Sequence, residues 1–318
     1  MTATMRAIVQ HAYGGPEVLQ LAEVSRPEPG VTEVLVRVHA AGVNPIDGKT
    51  RAGGGFAPHV GRPPFIPGWD LSGVVEQIGY GVTRFQPGDE VYGMPNFPHR
   101  AGTYAEFVAV RSRQLARKPA SLSHVQAAAL PLAGLTAWQS LVDTAQAGPG
   151  MRVLIHAAAG GVGHLAVQIA HARGAYVIGT ARAAKHDFVR ALGADEVIDY
   201  TAVAFEDAVE PVDVVLDLVG GETRRRSLEV LADGGLLIPL PRGLDVSQEA
   251  AERGLRVAPV IVEPDYRGLE HLAELADSGQ LKVSVSRELP LAQAAQAHRY
   301  LDAGGATGKT VLTVITPS

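Results

Sequence analysis

The residues best placed to do chemistry begin at Val153. An apolar run, Val153-Leu154-Ile155-His156-Ala157, leads through Ala158-Ala159-Gly160-Gly161-Val162-Gly163 into His164-Leu165-Ala166-Val167-Gln168-Ile169-Ala170. Val162, Leu165, Ala166, Ile169 and Ala170 recur at helical spacing, and Gly174 suits the C′ position that ends such a helix. A buried strand therefore runs through a turn poor in side chains into a helix. Such a turn lets a pyrophosphate approach free helix N–H groups, and the positive end of the helix stabilises its charge. Gly160, Gly161, Val162 and Gly163 are the candidate phosphate contacts. The spacing Ala157-x-x-Gly160-x-x-Gly163 is not the G-x-G-x-x-G of the standard dinucleotide fingerprint, and a tight strand-to-helix turn without a ligand would use the same glycines.

The next apolar run, Tyr176 to Thr180, ends where an NAD site would place Asp or Glu against the ribose hydroxyls. Here Gly179-Thr180-Ala181-Arg182-Ala183-Ala184-Lys185 offers no carboxylate and two cations. A guanidinium grips a 2′-phosphate as a planar fork, and an ammonium adds a point charge. Thr180, Arg182 and Lys185 are thus candidate contacts to NADPH, and Tyr200, ending a third run, offers a hydroxyl to the same phosphate. The alternatives are a solvated basic helix start for the two cations and simple packing for the tyrosine.

Other chemistries are closed off by composition. There is no cysteine, so disulfides, thiolate catalysis and cysteine-ligated zinc are excluded. The 11 histidines are scattered without an i, i+4 pair, and no metal site is expected. A formal net charge of -5 argues against nucleic acid and anionic membrane as partners. No segment reaches the roughly 18 apolar residues of a membrane span, and the N-terminus lacks a basic region followed by an apolar core, so a cytoplasmic location is expected.

These residues need a scaffold. A chain of 318 residues exceeds one ordinary core, so two domains are expected. Up to residue 122 short β-branched runs, Met5 to Gln10, Glu33 to Ala40, Leu71 to Ile78 and Ala105 to Val110, are broken by Gly and Pro, which predicts a β-rich, partly closed barrel. From 123 to 263 helices alternate with apolar strands. A helix is predicted over Ser123 to Ala145, capped by Ser121 or Ser123, then strands at Arg152 to Ala157, Tyr176 to Thr180, Glu196 to Tyr200, Val212 to Leu218, Gly235 to Leu240 and Leu255 to Val262. Strands apolar on both faces imply a parallel, doubly wound six-stranded α/β sheet. Residues 264 to 318, with a last strand at Thr310 to Ile315, are expected to return to the first domain.

Seven blocks in order resemble the medium-chain dehydrogenase/reductase superfamily, in its zinc-free, zeta-crystallin-like NADPH:quinone oxidoreductase branch. They are Ala40-Ala41-Gly42-Val43-Asn44-Pro45-Ile46-Asp47, Pro67-Gly68-Trp69-Asp70-Leu71-Ser72-Gly73-Val74-Val75, Pro87-Gly88-Asp89-Glu90-Val91-Tyr92-Gly93, Gly102-Thr103-Tyr104-Ala105-Glu106-Phe107, Leu130-Pro131-Leu132-Ala133-Gly134-Leu135-Thr136-Ala137, the glycine turn, and Gly308-Lys309-Thr310-Val311-Leu312. The resemblance implies a GroES-like catalytic domain, a Rossmann NADPH-binding domain and a substrate held between them. Asn44 stands where zinc-dependent relatives carry a cysteine ligand. Lys49 replaces a tyrosine common in quinone reductases and is similar to a lysine of alkenal and enone reductases that touches nicotinamide ribose and substrate.

By that resemblance Asn44, Lys49 and Thr136 are candidate catalytic and cofactor-contacting residues. Asn44 or Lys49 would stabilise an enolate oxygen, and Lys49 or a relayed water would return a proton. Val219, Gly220, Leu240 and Pro241 would also contact cofactor, as would the loop before Lys309. Phe56, Phe65 and Trp69 would wall a flat acceptor or pack in the core. Relatives are often homodimers joined through edge strands, here Leu255 to Val262. The expected activity is reduction of a quinone or an α,β-unsaturated carbonyl; the alternatives are an enoyl reductase on a secondary-metabolite intermediate and a non-catalytic NADPH-binding protein. A short-chain reductase would need Tyr-x-x-x-Lys, and no tyrosine here has a lysine four residues on.

Overall fold

The computed structural model describes residues 3–240 and 243–315. The chain divides into two compact units: Met1–Leu135 with Glu263–Gly279 and Val283–Ser318, and Thr136–Val262 with Gln280–Lys282.

The first unit is built on strands β1 (Thr4–Gln10), β2 (Leu19–Ser25), β3 (Glu33–Val43), β4 (Leu71–Ile78), β5 (Glu90–Gly93), β6 (Phe107–Arg111), β7 (Leu115–Arg117), β14 (Val285–Pro290) and β15 (Lys309–Thr313). β1 and β2 form an antiparallel ribbon, and the rest make one seven-stranded sheet in the order β14-β15-β3-β4-β5-β7, with β6 also on β3. The 11-residue β3 is its spine. Register shifts between β3 and β4 at Leu35/Val36 and Val38/Ala40 mark bulges, which bend a sheet and increase its twist. The C-terminal strand β15 pairs antiparallel with β3, Leu312 opposite Ala41, so the tail does return to the β-rich unit. Val34, Val36, Val38, Leu71, Val75, Val91, Val110 and Leu312 alternate into the core. Helices α1 (Pro45–Arg51), α2 (Ala57–Val60), α9 (Tyr266–Asp277) and α10 (Ala294–Ala303) also belong to this unit, with α1 against α10.

The helix expected over Ser123 to Ala145 is three pieces: α3 (His124–Ala128), capped by Ser123, α4 (Pro131–Trp138), and a π-helical turn over Gln139–Thr144. Pro131 explains the first break. It lacks an N–H and disfavours helix in the preceding residue, so it starts a helix rather than continuing one.

The second unit carries β8 (Arg152–Ile155), β9 (Tyr176–Thr180), β10 (Glu196–Ile198), β11 (Val212–Asp217), β12 (Leu231–Pro239) and β13 (Arg256–Val257), with helices α5 (Gly163–Ala172), α6 (His186–Ala191), α7 (Glu222–Arg226) and α8 (Ser247–Glu252). The strands are all parallel in the order β10-β9-β8-β11-β12-β13, the doubly wound Rossmann arrangement. Leu154, Ile178, Val215 and Leu237 fill its centre. The edge strand expected over Leu255 to Val262 shrinks to Arg256–Val257, because Pro259 has no amide to give the ladder. Among the described residues no helix is long and apolar enough to cross a membrane.

Candidate active site

β8 delivers the chain to His156 and to Ala157, whose φ of 50° is left-handed and sets the sharp exit from the strand. The amide of Gly160 donates to Ala157 O at 2.9 Å, and α5 begins at Gly163. A Cβ on Gly163 would lie 2.3 Å from Ala157 O and 2.8 Å from Ala158 Cα, so only glycine lets helix and strand approach this closely. The amides of Gly161, Val162 and Gly163 have no acceptor among the described residues. Three free donors at the positive end of a ten-residue helix are a donor set that fits a phosphate. The four glycine-turn candidates thus lie together.

Sequence reasoning missed what holds this turn. Ser227 donates its hydroxyl to Thr223 O at 2.7 Å, so its oxygen accepts from Nε2–H of His156 at 3.0 Å. Nδ1 of His156 is then the acceptor for the Thr180 hydroxyl at 3.2 Å, and the Thr180 oxygen accepts the Ala157 amide at 3.2 Å. Burial holds His156 neutral, its pKa lowered to about 4. Thr180 is buried, and its hydroxyl is committed to this network. A lone polar residue in the run Val153 to Ala157 was the available signal.

At the end of β9 the exposed Arg182 donates from Nε to the hydroxyl of half-exposed Tyr200 at 3.2 Å, so two phosphate candidates meet; Lys185 closes the 3-10 turn Ala183–Lys185 that follows. A carboxylate does stand nearby, on the third strand's exit. Asp199 accepts the Ala183 amide at 3.2 Å and both the amide and hydroxyl of Thr201, at 2.9 and 2.6 Å, and these bonds, the Thr201 hydroxyl foremost, hold it below the usual carboxylate range.

After β11 the buried Asp217 gathers the amides of Val219 and Gly220 at 2.9 and 2.7 Å on Oδ1 and Arg224 Nε at 2.8 Å on Oδ2. Its backbone carbonyl accepts the Leu240 amide at 3.0 Å. Asp217 therefore holds the Val219-Gly220 candidates through its carboxylate and Leu240 through its backbone carbonyl. Pro241 lies outside the described residues.

In the β-rich unit Asn44 caps α1 and is 1% exposed. Its Nδ2 donates to Asp70 at 2.9 Å, and its Oδ1 accepts from the ammonium of Lys309, itself buried and 3.8 Å from Asp70. Asp70 Oδ1 also accepts the Leu132 amide at 2.8 Å. Gly42 makes the room, since a Cβ there would lie 2.9 Å from Asp70 and 2.4 Å from Ala128 O. Burial pushes Asp70 upward and Lys309 downward, each opposed by the other's charge. Asn44 is left one amide N–H. Lys49, five residues on in the same helix, is exposed where Asn44 is buried. Thr136 is buried in α4. Phe56, Phe65 and Trp69 are buried too; Phe56 and Trp69 pack edge-on against Phe97, Trp69 donates its indole N–H to His99 O at 2.7 Å, and Phe65 and Trp69 also line a cavity. Among the described residues no cluster of three or more His, Asp or Glu is placed to hold a metal ion.

Comparison with known proteins agrees with this architecture. Residues 30–120 match the alcohol dehydrogenase GroES-like domain, and residues 192–312 match a family described as zinc-binding dehydrogenase. The chain is 36% identical to the NADPH-dependent alkenal/one oxidoreductase, chloroplastic, of Arabidopsis thaliana, over 97% of this chain and 79% of that protein. It superposes on the quinone oxidoreductase of Coxiella burnetii with a TM-score of 0.92 at 38% identity, covering 98% of this chain and 100% of the other. The Escherichia coli quinone oxidoreductase complexed with NADPH gives 0.86 at 32% identity, with coverage of 98% and 100%. A Rossmann sheet with a glycine turn after its first strand, in one chain with a GroES-like unit, defines a dehydrogenase/reductase architecture. The chain belongs to the medium-chain dehydrogenase/reductase superfamily, in its zinc-free quinone oxidoreductase branch, and is an oxidoreductase.

Proposed function

We propose that the chain is an NADPH-dependent, zinc-independent reductase of quinones or α,β-unsaturated carbonyl compounds. The observation that carries the cofactor choice is the exposed Arg182 guanidinium hydrogen-bonded to Tyr200 at the end of β9, where an NAD enzyme would present a carboxylate. Two relatives support it in their own descriptions: one is NADPH-dependent and the other was solved with NADPH. Bound on the glycine turn, the nucleotide supplies a hydride. Gly160, Gly161, Val162 and Gly163 would hold its pyrophosphate, and Val219, Gly220, Leu240 and Thr136 would contact the rest of it; the family resemblance adds Pro241 to these.

Acceptor chemistry falls to Lys49 and Asn44. Hydride arriving at the β-carbon of an enone leaves negative charge on its oxygen, which the Lys49 ammonium or the remaining Asn44 N–H stabilises, and Lys49 or a relayed water then returns a proton. The test is a steady-state screen of NADPH and NADH against quinones, alkenals and cyclic enones. Strong preference for NADPH with turnover of at least one acceptor is expected. Equal use of NADH would remove the phosphate-pocket argument, and NADPH binding with no turnover would favour a non-catalytic nucleotide-binding protein.

A further inference from the structure

We propose that Asp47 is a positioning residue for Asn44: a one-way hydrogen-bond chain from Arg51 through His298 and Tyr104 ends on its carboxylate, and gain of a proton there loosens the cap of α1. The inference rests on the reading of Asn44 as part of the reducing site.

The direction of the chain follows from donor chemistry. Arg51 can only donate, so its contact of 3.0 Å makes Nδ1 of His298 an acceptor and places the ring proton on Nε2. Nε2–H then donates to the Tyr104 oxygen at 3.3 Å, and the Tyr104 hydroxyl donates to Asp47 Oδ2 at 3.2 Å. The same Oδ2 accepts the backbone amide of Asn44 at 2.7 Å. Arg51 is itself anchored to Asp302 of α10 at 2.9 Å. Every donor points toward Asp47, an arrangement suited to a carboxylate.

Burial opposes it. Asp47 is 2% exposed, its Oδ1 has no partner, and it lines a cavity with Gln10, Thr50, Arg51, Phe65 and Trp69. The charged groups around it are Asp70 beside β4, Lys309 of β15, Arg51 of its own helix, Arg100, which lines the same cavity, and Asp302 of α10, which also carries the titratable His298; Tyr104 contributes a neutral hydroxyl. Desolvation, helped by Asp70 and countered by the Asn44 amide, Lys309 and Tyr104, raises Asp47 to about 7. His298 stays neutral, its pKa lowered to about 3 by burial and by Arg51. A proton arriving near neutrality goes to the unpartnered Oδ1. The Asn44 amide and the Tyr104 hydroxyl then face a neutral acid, a weaker acceptor than a carboxylate.

Infrared spectroscopy of the full chain against pH tests this without any substrate. A protonated-carboxyl band should appear as pH falls through about 7, vanish in Asp47→Asn, and shift its midpoint upward by roughly one pH unit in Tyr104→Phe, which removes a donor to the charged form. In the active enzyme kcat/KM should fall with acid at the same midpoint and follow it in Tyr104→Phe. A band that titrates only in the ordinary carboxylate range, one that survives Asp47→Asn, or a midpoint that Tyr104→Phe leaves unmoved would overturn the proposal. Should Asp47→Asn not fold, the Tyr104→Phe shift alone decides. A chain that reduces no acceptor at any pH counts against the proposed function and leaves the infrared result standing.

Discussion

The hydroxyl of Thr180, at the end of β9, lies 3.2 Å from Nδ1 of His156, the residue that follows β8. Two neighbouring strand ends are thereby tied together under the glycine turn, since the Thr180 oxygen also holds the amide of Ala157. Thr180→Val keeps the shape and removes both bonds. Leaving a buried donor and acceptor unpaired costs roughly 1–3 kcal/mol. We expect that loss in denaturant unfolding and a rise of roughly 5- to 20-fold in the NADPH dissociation constant, with Thr180→Ser restoring both because it keeps the hydroxyl. An unchanged dissociation constant in the valine variant would separate the network from the nucleotide site.

Arg182 is exposed and spends its Nε–H on the hydroxyl of Tyr200, so its guanidinium keeps donors for a phosphate. A charge-assisted hydrogen bond contributes roughly 1.5–3 kcal/mol, which converts to roughly 10- to 100-fold. Arg182→Ala should lower kcat/KM for NADPH by about that factor and leave NADH nearly untouched, with a further loss when Lys185 is also neutralised. Added salt should weaken NADPH binding in the unaltered enzyme more than in the variant. Equal losses for both nucleotides would show that Arg182 serves the turn and not the 2′-phosphate.

Much of the scaffold could be read from period and punctuation. Leu71 to Ile78 and Tyr176 to Thr180 fall on β4 and β9 because an apolar run between turn signals has one comfortable conformation. Proline decided the misses: Pro131 cut the predicted long helix, and Pro259 shortened the last Rossmann strand. The glycine turn was legible for the same local reason, since its chemistry lies within one segment. Lys309, Asp70, Asp47, Tyr104 and His298 were not legible as a group, although four of them stood inside the family blocks. Their significance is burial beside one another, which β15 on β3 and α10 on α1 create from segments more than 150 residues apart. A charged residue at the head of an apolar strand, Lys309 before Thr310-Val311-Leu312, was the one local hint.

Lys309 and Asp70 test how far that buried cluster depends on charge. Removing one partner of a buried pair strands the other charge and costs roughly 3–5 kcal/mol. Lys309→Met should lose about that much in denaturant unfolding, because Asp70 keeps its buried carboxylate and Asn44 loses its donor. Combining Lys309→Met with Asp70→Asn should recover roughly 0.5–3 kcal/mol relative to the sum of the single losses. Strict additivity would mean that the 3.8 Å approach carries no interaction.

Acid should destabilise the fold before its exposed carboxylates titrate. Burial is the first cause holding His124, His156 and His298 neutral, lowering the first two to about 4 and the third to about 3. Unfolded, each would bind a proton below 6.5, so their contribution is complete above 6.5 and fades as pH falls toward about 4. Asp47 has the opposite sign: raised from 3.8 to about 7, it stabilises fully at low pH and less as pH rises through its folded value. Across the window from 6.5 to about 4 the unfolded chain therefore takes up protons that the folded chain refuses on these three rings and on His39, which burial also lowers, against those kept by Asp47 and by Asp70, which burial raises, and stability falls with acidification. Denaturant midpoints measured down that window should drop steadily, and His124→Gln should flatten the slope by removing one of these rings. A midpoint that rises toward acid, or a glutamine variant as steep as the parent, would show that these rings are not neutral in the fold.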